Sequence, residues 1–175
     1  MLTIVGCGRA ENSDDSVGLE VVRRIRERLA QDKRSDVQVL DAVGDPAELM
    51  KCALGSDKLI LVDASRSGAS AGTVIRVSGE DLEGHYTPSM TPASTRWDHA
   101  LEASRRVLGD AYPDRVEVIL IEAERSEPGK RLSASVARAA QRVLEDLSGQ
   151  LAGAELRLPE ESTEHLQGSL ERVKV

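Results

Sequence analysis

A short apolar run in the first half of the chain constrains the fold more than any other feature. Residues 59–62 read Leu-Ile-Leu-Val without interruption, and the run closes with Asp63-Ala64-Ser65. A strand with one face in water alternates apolar and polar side chains, whereas a continuous apolar run is typical of a parallel strand covered on both faces. The sequence therefore predicts a strand buried between two layers.

The flanking segments alternate between strand-like and helix-like patterns. Residues 17–29 place apolar side chains on one face and charged ones on the other, which is the period of an amphipathic helix. Further helices are predicted from Asp45-Pro46 onward and over residues 98–108 and 133–151, and strands over residues 2–5, 37–40, 58–62, 72–77 and 115–121. This order predicts an α/β fold with an open, mostly parallel, doubly wound sheet and helices on both faces.

The domain is expected to end with the last helix. We assign residues 1–151 to one α/β domain and residues 152–175, which are polar and weakly patterned, to a C-terminal tail. Residues 80–97 contain prolines and no clear period, so they are predicted to form a loop.

Charge and composition exclude several classes of partner. The formal net charge is −7 and aromatic residues make up 2% of the chain, which disfavours nucleic-acid binding. No run approaches the roughly 18 apolar residues of a membrane span. Cys7 and Cys52 are far apart in sequence and form no metal-ligand pair, so we expect buried thiols in a cytoplasmic protein.

Acidic residues follow two of the predicted strands. Asp14 and Asp15 come shortly after the first strand, and Asp63 follows the third. The carboxyl ends of parallel strands gather at one edge of the sheet, where carboxylates suit a hard cation or a site of histidine and carboxylate ligands. The alternatives are that Asp14 or Asp15 caps the following helix, and that Asp63 is only a polar strand end.

The glycines after the first strand do not indicate a dinucleotide site. Gly6 and Gly8 match the first two glycines of the phosphate-binding pattern, but Glu11 stands where the third is required. Acidic residues at the helix start would also repel a pyrophosphate.

Three motifs in the same order resemble the hydrogenase maturation endopeptidases. Residues 6–18 are similar to the family's glycine-rich N-terminal signature, which ends in an acidic pair and a glycine. Residues 59–64 resemble its apolar strand ending in Asp-Ala. Residues 121–133, with Glu127-Pro128 and Leu132-Ser133, resemble its turn into the last helix. Together the motifs lie within about residues 1–150.

The resemblance implies a doubly wound peptidase, a three-layer sandwich of the phosphorylase/hydrolase-like kind. Its substrate would be the precursor of a nickel–iron hydrogenase large subunit, from which it removes a C-terminal extension after nickel insertion. In the family, two carboxylates and a histidine sense the metal, and the carboxylates fall on Asp15 and Asp63. The nickel would belong to the substrate, and no permanently bound cofactor is expected. Gly6, Gly8, Asp14 and Arg96 are expected to contact the substrate.

The chain departs from the family pattern at three places. Arg9 replaces the asparagine after the second glycine, and Gly44-Asp45-Pro46 lacks the usual second glycine. Arg96 replaces the histidine, and a guanidinium cannot ligate nickel because it has no acceptor. The histidine of the catalytic and metal-sensing set would then be His99, which we favour, or His85. The third alternative is that no histidine completes the set.

Two alternative functions remain open from the sequence. A non-catalytic relative would bind the precursor without cutting it, as Arg96 suggests. A receiver domain also places acidic residues after its first and third strands, but it needs a lysine after its last catalytic strand, where this chain has Glu122-Ala123-Glu124.

Overall fold

The computed structural model describes residues 1–30, 34–42, 46–82 and 97–153. Five strands and four α-helices follow one another along this part of the chain, and they alternate except that β4 comes directly after β3. They are β1 (Leu2–Cys7), α1 (Val17–Leu29), β2 (Val37–Ala42), α2 (Pro46–Ala53), β3 (Lys58–Ser65), β4 (Val74–Ser78), α3 (Trp97–Leu108), β5 (Arg115–Glu122) and α4 (Ala134–Leu151). None of the helices in these ranges is long and apolar enough to cross a membrane.

The strands form one sheet in the order β2-β1-β3-β5-β4. The first four strands in this order are parallel, and β4 pairs antiparallel with β5 at the edge. The predicted fold class is therefore confirmed. The chain leaves β1 toward β2 and then returns to β3 on the other side of β1. Strand order reverses between β1 and β3, and a crevice at such a switch point is where doubly wound sheets bind ligands.

Two apolar layers cover the sheet and explain the continuous apolar run of β3. Ile60 and Val62 pack with α1 and α4 on one face, while Leu59 and Leu61 pack with the α2 and α3 layer on the other. Successive side chains of a strand point to opposite faces, so both sets must be apolar. By the same alternation, Asp63 points toward the α2 and α3 layer, the side on which Cys7 packs.

Glycines let α1 approach the sheet closely. A Cβ on Gly18 would lie 2.2 Å from the carbonyl oxygen of Val62, and one on Gly6 would lie 2.3 Å from the carbonyl oxygen of Gly18. Both contacts are with backbone, which cannot move aside. Gly6, which the sequence assigned to substrate contact, therefore has a packing role here: it brings the start of α1, and the residues before it, onto the end of β1.

Several predicted features lie outside the described residues. These are His85, Arg96, most of the loop before α3, and the C-terminal tail beyond residue 153. Within the described residues, β3 continues through Ser65 and α3 begins at Trp97, one residue earlier than the sequence predicted. Cys7 and Cys52 are free and buried, as expected.

Candidate active site

Asp15 is the point where three loops at the carboxyl edge of the sheet meet. Its Oδ2 accepts hydrogen bonds from Asn12 Nδ2 at 2.9 Å, from Ser126 Oγ at 2.5 Å and from the Arg9 guanidinium. Its Oδ1 accepts one from Arg66 Nη2 at 2.9 Å. These donors come from the loops after β1, β3 and β5, so one carboxylate joins all three.

The protein environment keeps Asp15 ionised. Burial, which leaves the residue 8% exposed, would raise the pKa of its carboxyl group. The hydrogen bonds from Ser126, Arg9 and Arg66, together with the charge of Arg66, outweigh this and hold the pKa below its usual value. Asp15 therefore carries a negative charge at neutral pH.

Asp63 is the second acidic group, and its protonation is balanced near neutral pH. Its Oδ1 accepts a hydrogen bond of 2.7 Å from the backbone N–H of Ala64. Burial raises the pKa of Asp63 to about 7, against the effect of that hydrogen bond and with a further contribution from the charge of Asp15. The charge of Asp15, on the turn Ser13–Ser16 after β1, thus acts on Asp63 near the end of β3. A cation near both would favour the ionised form of Asp63.

Asp14 has a different role from its neighbour. It is fully buried, and its oxygens accept hydrogen bonds from the backbone N–H groups of Glu124 at 2.9 Å, Arg125 at 3.0 Å and Ser133 at 2.6 Å. The carboxylate anchors the loop between β5 and α4. Asp14 does not cap α1, whose N-cap Ser16 makes no side-chain capping hydrogen bond. Because both oxygens are engaged inside the protein, Asp14 shapes the site without facing a substrate.

Glu122 fixes the loop that carries Arg66. It is 3% exposed at the end of β5, and it accepts hydrogen bonds from Ser67 N at 3.0 Å, Ser67 Oγ at 2.9 Å and Gly68 N at 2.8 Å. The sequence reasoning did not identify this role. The role of Glu122 could have been inferred from its position as a carboxylate at the end of the apolar run of β5, because a buried charge requires partners.

Gly8 brings the first loop back onto Asp15. Its φ is +142°, and a Cβ there would lie 2.1 Å from the carbonyl oxygen of Asp15. The same oxygen accepts a 3.2 Å hydrogen bond from the backbone N–H of Arg9. This close approach explains why a glycine stands at position 8, which the sequence predicted to contact substrate.

His99 lies in the first turn of α3 and is partly buried. Because α3 is followed by a short connection to the start of β5, its first turn lies toward the carboxyl edge of the sheet. Across the described ranges, no three histidine, cysteine or acidic side chains form a group that could hold a metal ion. Asp15, Asp63 and His99 therefore do not form a ready-made three-ligand set in this conformation.

Cys7 is not activated for nucleophilic attack, although it lies beside the site. Burial, followed by the charge of Asp63 and the neighbouring Cys52, raises the pKa of the Cys7 thiol far above its usual range. A thiol that stays protonated is a poor nucleophile.

Comparisons with known proteins show the family and the fold of the chain. The sequence profile of the HycI hydrogenase maturation protease family matches residues 19–150. No curated protein matches the chain significantly. Among solved structures, the hydrogenase maturating endopeptidase HybD from E. coli is 23% identical, with a TM-score of 0.69 over 87% of this chain and 93% of its own.

Other solved structures share the fold. The [NiFe] hydrogenase maturation protease HycI from Thermococcus kodakarensis KOD1 is 19% identical, with a TM-score of 0.67 over 86% of this chain and 92% of its own. An endopeptidase from Escherichia coli solved in solution is 22% identical, with a TM-score of 0.69 over 92% and 99%.

The fold is that of a doubly wound α/β protein, in which the strand order reverses between β1 and β3. The candidate site has one carboxylate after each of these two strands. The chain belongs to the hydrogenase maturation protease family and is an endopeptidase. The receiver-domain alternative is therefore set aside.

Proposed function

We propose that this endopeptidase removes the C-terminal extension of a nickel-loaded hydrogenase large-subunit precursor, and that Asp15 and Asp63 recognise the nickel. This proposal is supported by the position of Asp15 and Asp63 after the neighbouring strands β1 and β3, where burial and the charge of Asp15 raise the pKa of Asp63 to about 7. Two acidic groups that repel each other gain most from a cation placed between them.

The nickel is part of the substrate in this proposal, so the protein needs no metal of its own. Two carboxylates are too few to hold a resident metal ion, but they can complete the coordination of an ion that the precursor already ligates. Ionised Asp63 would either bind that ion or accept a proton from the water that attacks the scissile peptide bond. Asp15, which stays ionised, would serve as the second ligand.

We propose that His99 reaches the metal or the scissile bond once the precursor is bound, because α3 begins at the edge where the carboxylates lie. Arg96, immediately before α3 in the sequence, would contact the substrate. We further propose a cytoplasmic location, which the two free buried cysteines support.

The test is a processing assay that scores cleavage and binding separately. A nickel-loaded large-subunit precursor is incubated with the wild type, Asp15→Asn, Asp63→Asn and His99→Ala, and the shortened product is followed on gels. We expect cleavage by the wild type and a loss of at least about 100-fold in each aspartate variant. His99→Ala should also be impaired, and cleavage at the wild-type rate in this variant would refute the role of the histidine.

The control is Arg23→Gln, which changes a charge on the exposed face of α1, where Arg23 pairs with Glu20 and Glu27. It should cleave at the wild-type rate. Precursor that binds to the wild type without being cut would refute the proposed reaction and indicate a protein that only binds its partner. Unchanged cleavage in Asp15→Asn would refute the role of the carboxylate pair.

A further inference from the structure

The solvent side of Asp15 is covered by two arginine head groups. The Asp15 side chain is 10% exposed, whereas those of its partners Arg9 and Arg66 are 70% and 58% exposed. Each arginine donates through Nη2 to a different oxygen of the carboxylate. In the resting protein, a cation that approaches Asp15 therefore meets the positive charges of two arginines beside the single negative charge of the carboxylate.

The backbone at Arg9 and next to Arg66 is fixed by hydrogen bonds, whereas the guanidinium of each arginine is bound to the Asp15 carboxylate. Glu122 fixes the loop of Arg66 through Ser67 and Gly68, and Arg9 N donates to the Asp15 carbonyl oxygen. Both guanidinium side chains are more than half exposed, so water can solvate each of them once it leaves the carboxylate. Each guanidinium can therefore leave Asp15 while its loop stays in place.

The two arginines are not equivalent. Arg9 shares Oδ2 with Asn12 and Ser126, so that oxygen keeps other donors when Arg9 leaves. Arg66 is the one donor to Oδ1 among the described residues. Oδ1 is thus the oxygen that a metal ion can take most readily, and the ion must displace Arg66 to do so.

We propose that Arg9 and Arg66 are specificity-determining residues that shield Asp15 from free divalent cations and give way to the metal of a docked precursor. The inference rests on the proposed function. A free ion brings only its own attraction for the carboxylates and is repelled by both guanidiniums. A docked precursor supplies additional binding energy from its peptide, which can offset the loss of the two ion pairs. The site would then respond to metal in the correct substrate and not to metal in solution.

The test measures binding of Cd²⁺ alone to the full chain by isothermal titration calorimetry at constant pH. Arg66→Gln should bind Cd²⁺ several-fold more tightly than the wild type. The double variant Arg9→Gln with Arg66→Gln should gain about tenfold or more, since two repulsive charges are removed. Arg66→Lys keeps the charge without the guanidinium and should lie between wild type and Arg66→Gln. Arg23→Gln is the control with the same charge change and should bind like the wild type.

A further Asp15→Asn substitution in the double variant should abolish the gain, because the affinity is attributed to that carboxylate. Equal Cd²⁺ affinities in the wild type and the arginine variants would overturn the inference. So would a gain that survives Asp15→Asn, or the failure of every variant to bind. Cleavage of nickel-loaded precursor by the wild type is measured separately. A failure of the shielding role, seen in Cd²⁺ binding, is therefore distinguishable from a failure of the proposed function, seen in cleavage.

Discussion

Replacing Asp63 with asparagine should stabilise the protein, by an amount that increases with pH. Burial raises the pKa of the Asp63 carboxyl from 3.8 to about 7 in the folded protein. A group whose pKa is raised on folding supports the folded state while it is protonated. Its contribution is full below the unfolded value and is lost as pH rises through the folded value.

The size of the effect follows from the two pKa values. They differ by about three pH units, and each unit corresponds to about 1.4 kcal/mol, so ionised Asp63 opposes folding by at most about 4 kcal/mol. Asparagine keeps an oxygen that can accept the hydrogen bond from Ala64 N and never ionises. The free energy of unfolding of Asp63→Asn minus that of the wild type should therefore be small at pH 4, rise between pH 4 and 7, and level off above pH 7.

The assay is urea unfolding of both proteins at half-unit steps from pH 4 to 8.5, followed by circular dichroism. Groups that titrate equally in both proteins cancel in the difference. A difference that does not change with pH, or one that falls as pH rises, would refute the assignment of a raised pKa to Asp63. The same variant should be inactive in precursor processing, so this one substitution would raise the stability of the protein and abolish its activity.

Two further predictions concern the residues that shape the site. Asp14→Ala leaves three backbone N–H groups, of which that of Ser133 is buried, without their acceptor. The substitution should lower the free energy of unfolding by roughly 2–4 kcal/mol, with a smaller loss in Asp14→Asn, as urea titrations at pH 8 would show. A loss under about 1 kcal/mol in Asp14→Ala would contradict the anchoring role. Gly8→Ala forces a Cβ against the Asp15 carbonyl oxygen, whereas Gly129→Ala, at a φ of +68°, meets nothing within 4 Å. Processing should fall at least about tenfold in Gly8→Ala and remain near wild type in Gly129→Ala, and equal rates would contradict the close approach.

The fold could be predicted from the sequence because its signals are local. The continuous apolar run of β3 and the stripes of α1 and α4 each follow from burial on known faces. That Asp15 and Asp63 follow strands ending at one edge of the sheet could be predicted as well, because neighbouring parallel strands end at the same edge.

The remaining parts of the site depend on contacts that no local pattern records. Asp14 and Asp15 look alike in sequence, yet the turn Ser13–Ser16 directs the first into the protein and the second toward the loops. Arg66 and Ser126 reach Asp15 across 51 and 111 positions of sequence. Such pairs depend on the geometry of loops that are distant in sequence, so residue type and spacing alone do not predict them.

The central claim is that the two carboxylates act together on a metal carried by the substrate. Its most direct test is the intact mass of the large-subunit precursor, nickel-loaded or nickel-free, after incubation with the wild type. We expect the loaded precursor alone to lose the mass of its C-terminal peptide. Equal shortening of the nickel-free precursor, or no shortening of either, would contradict the account.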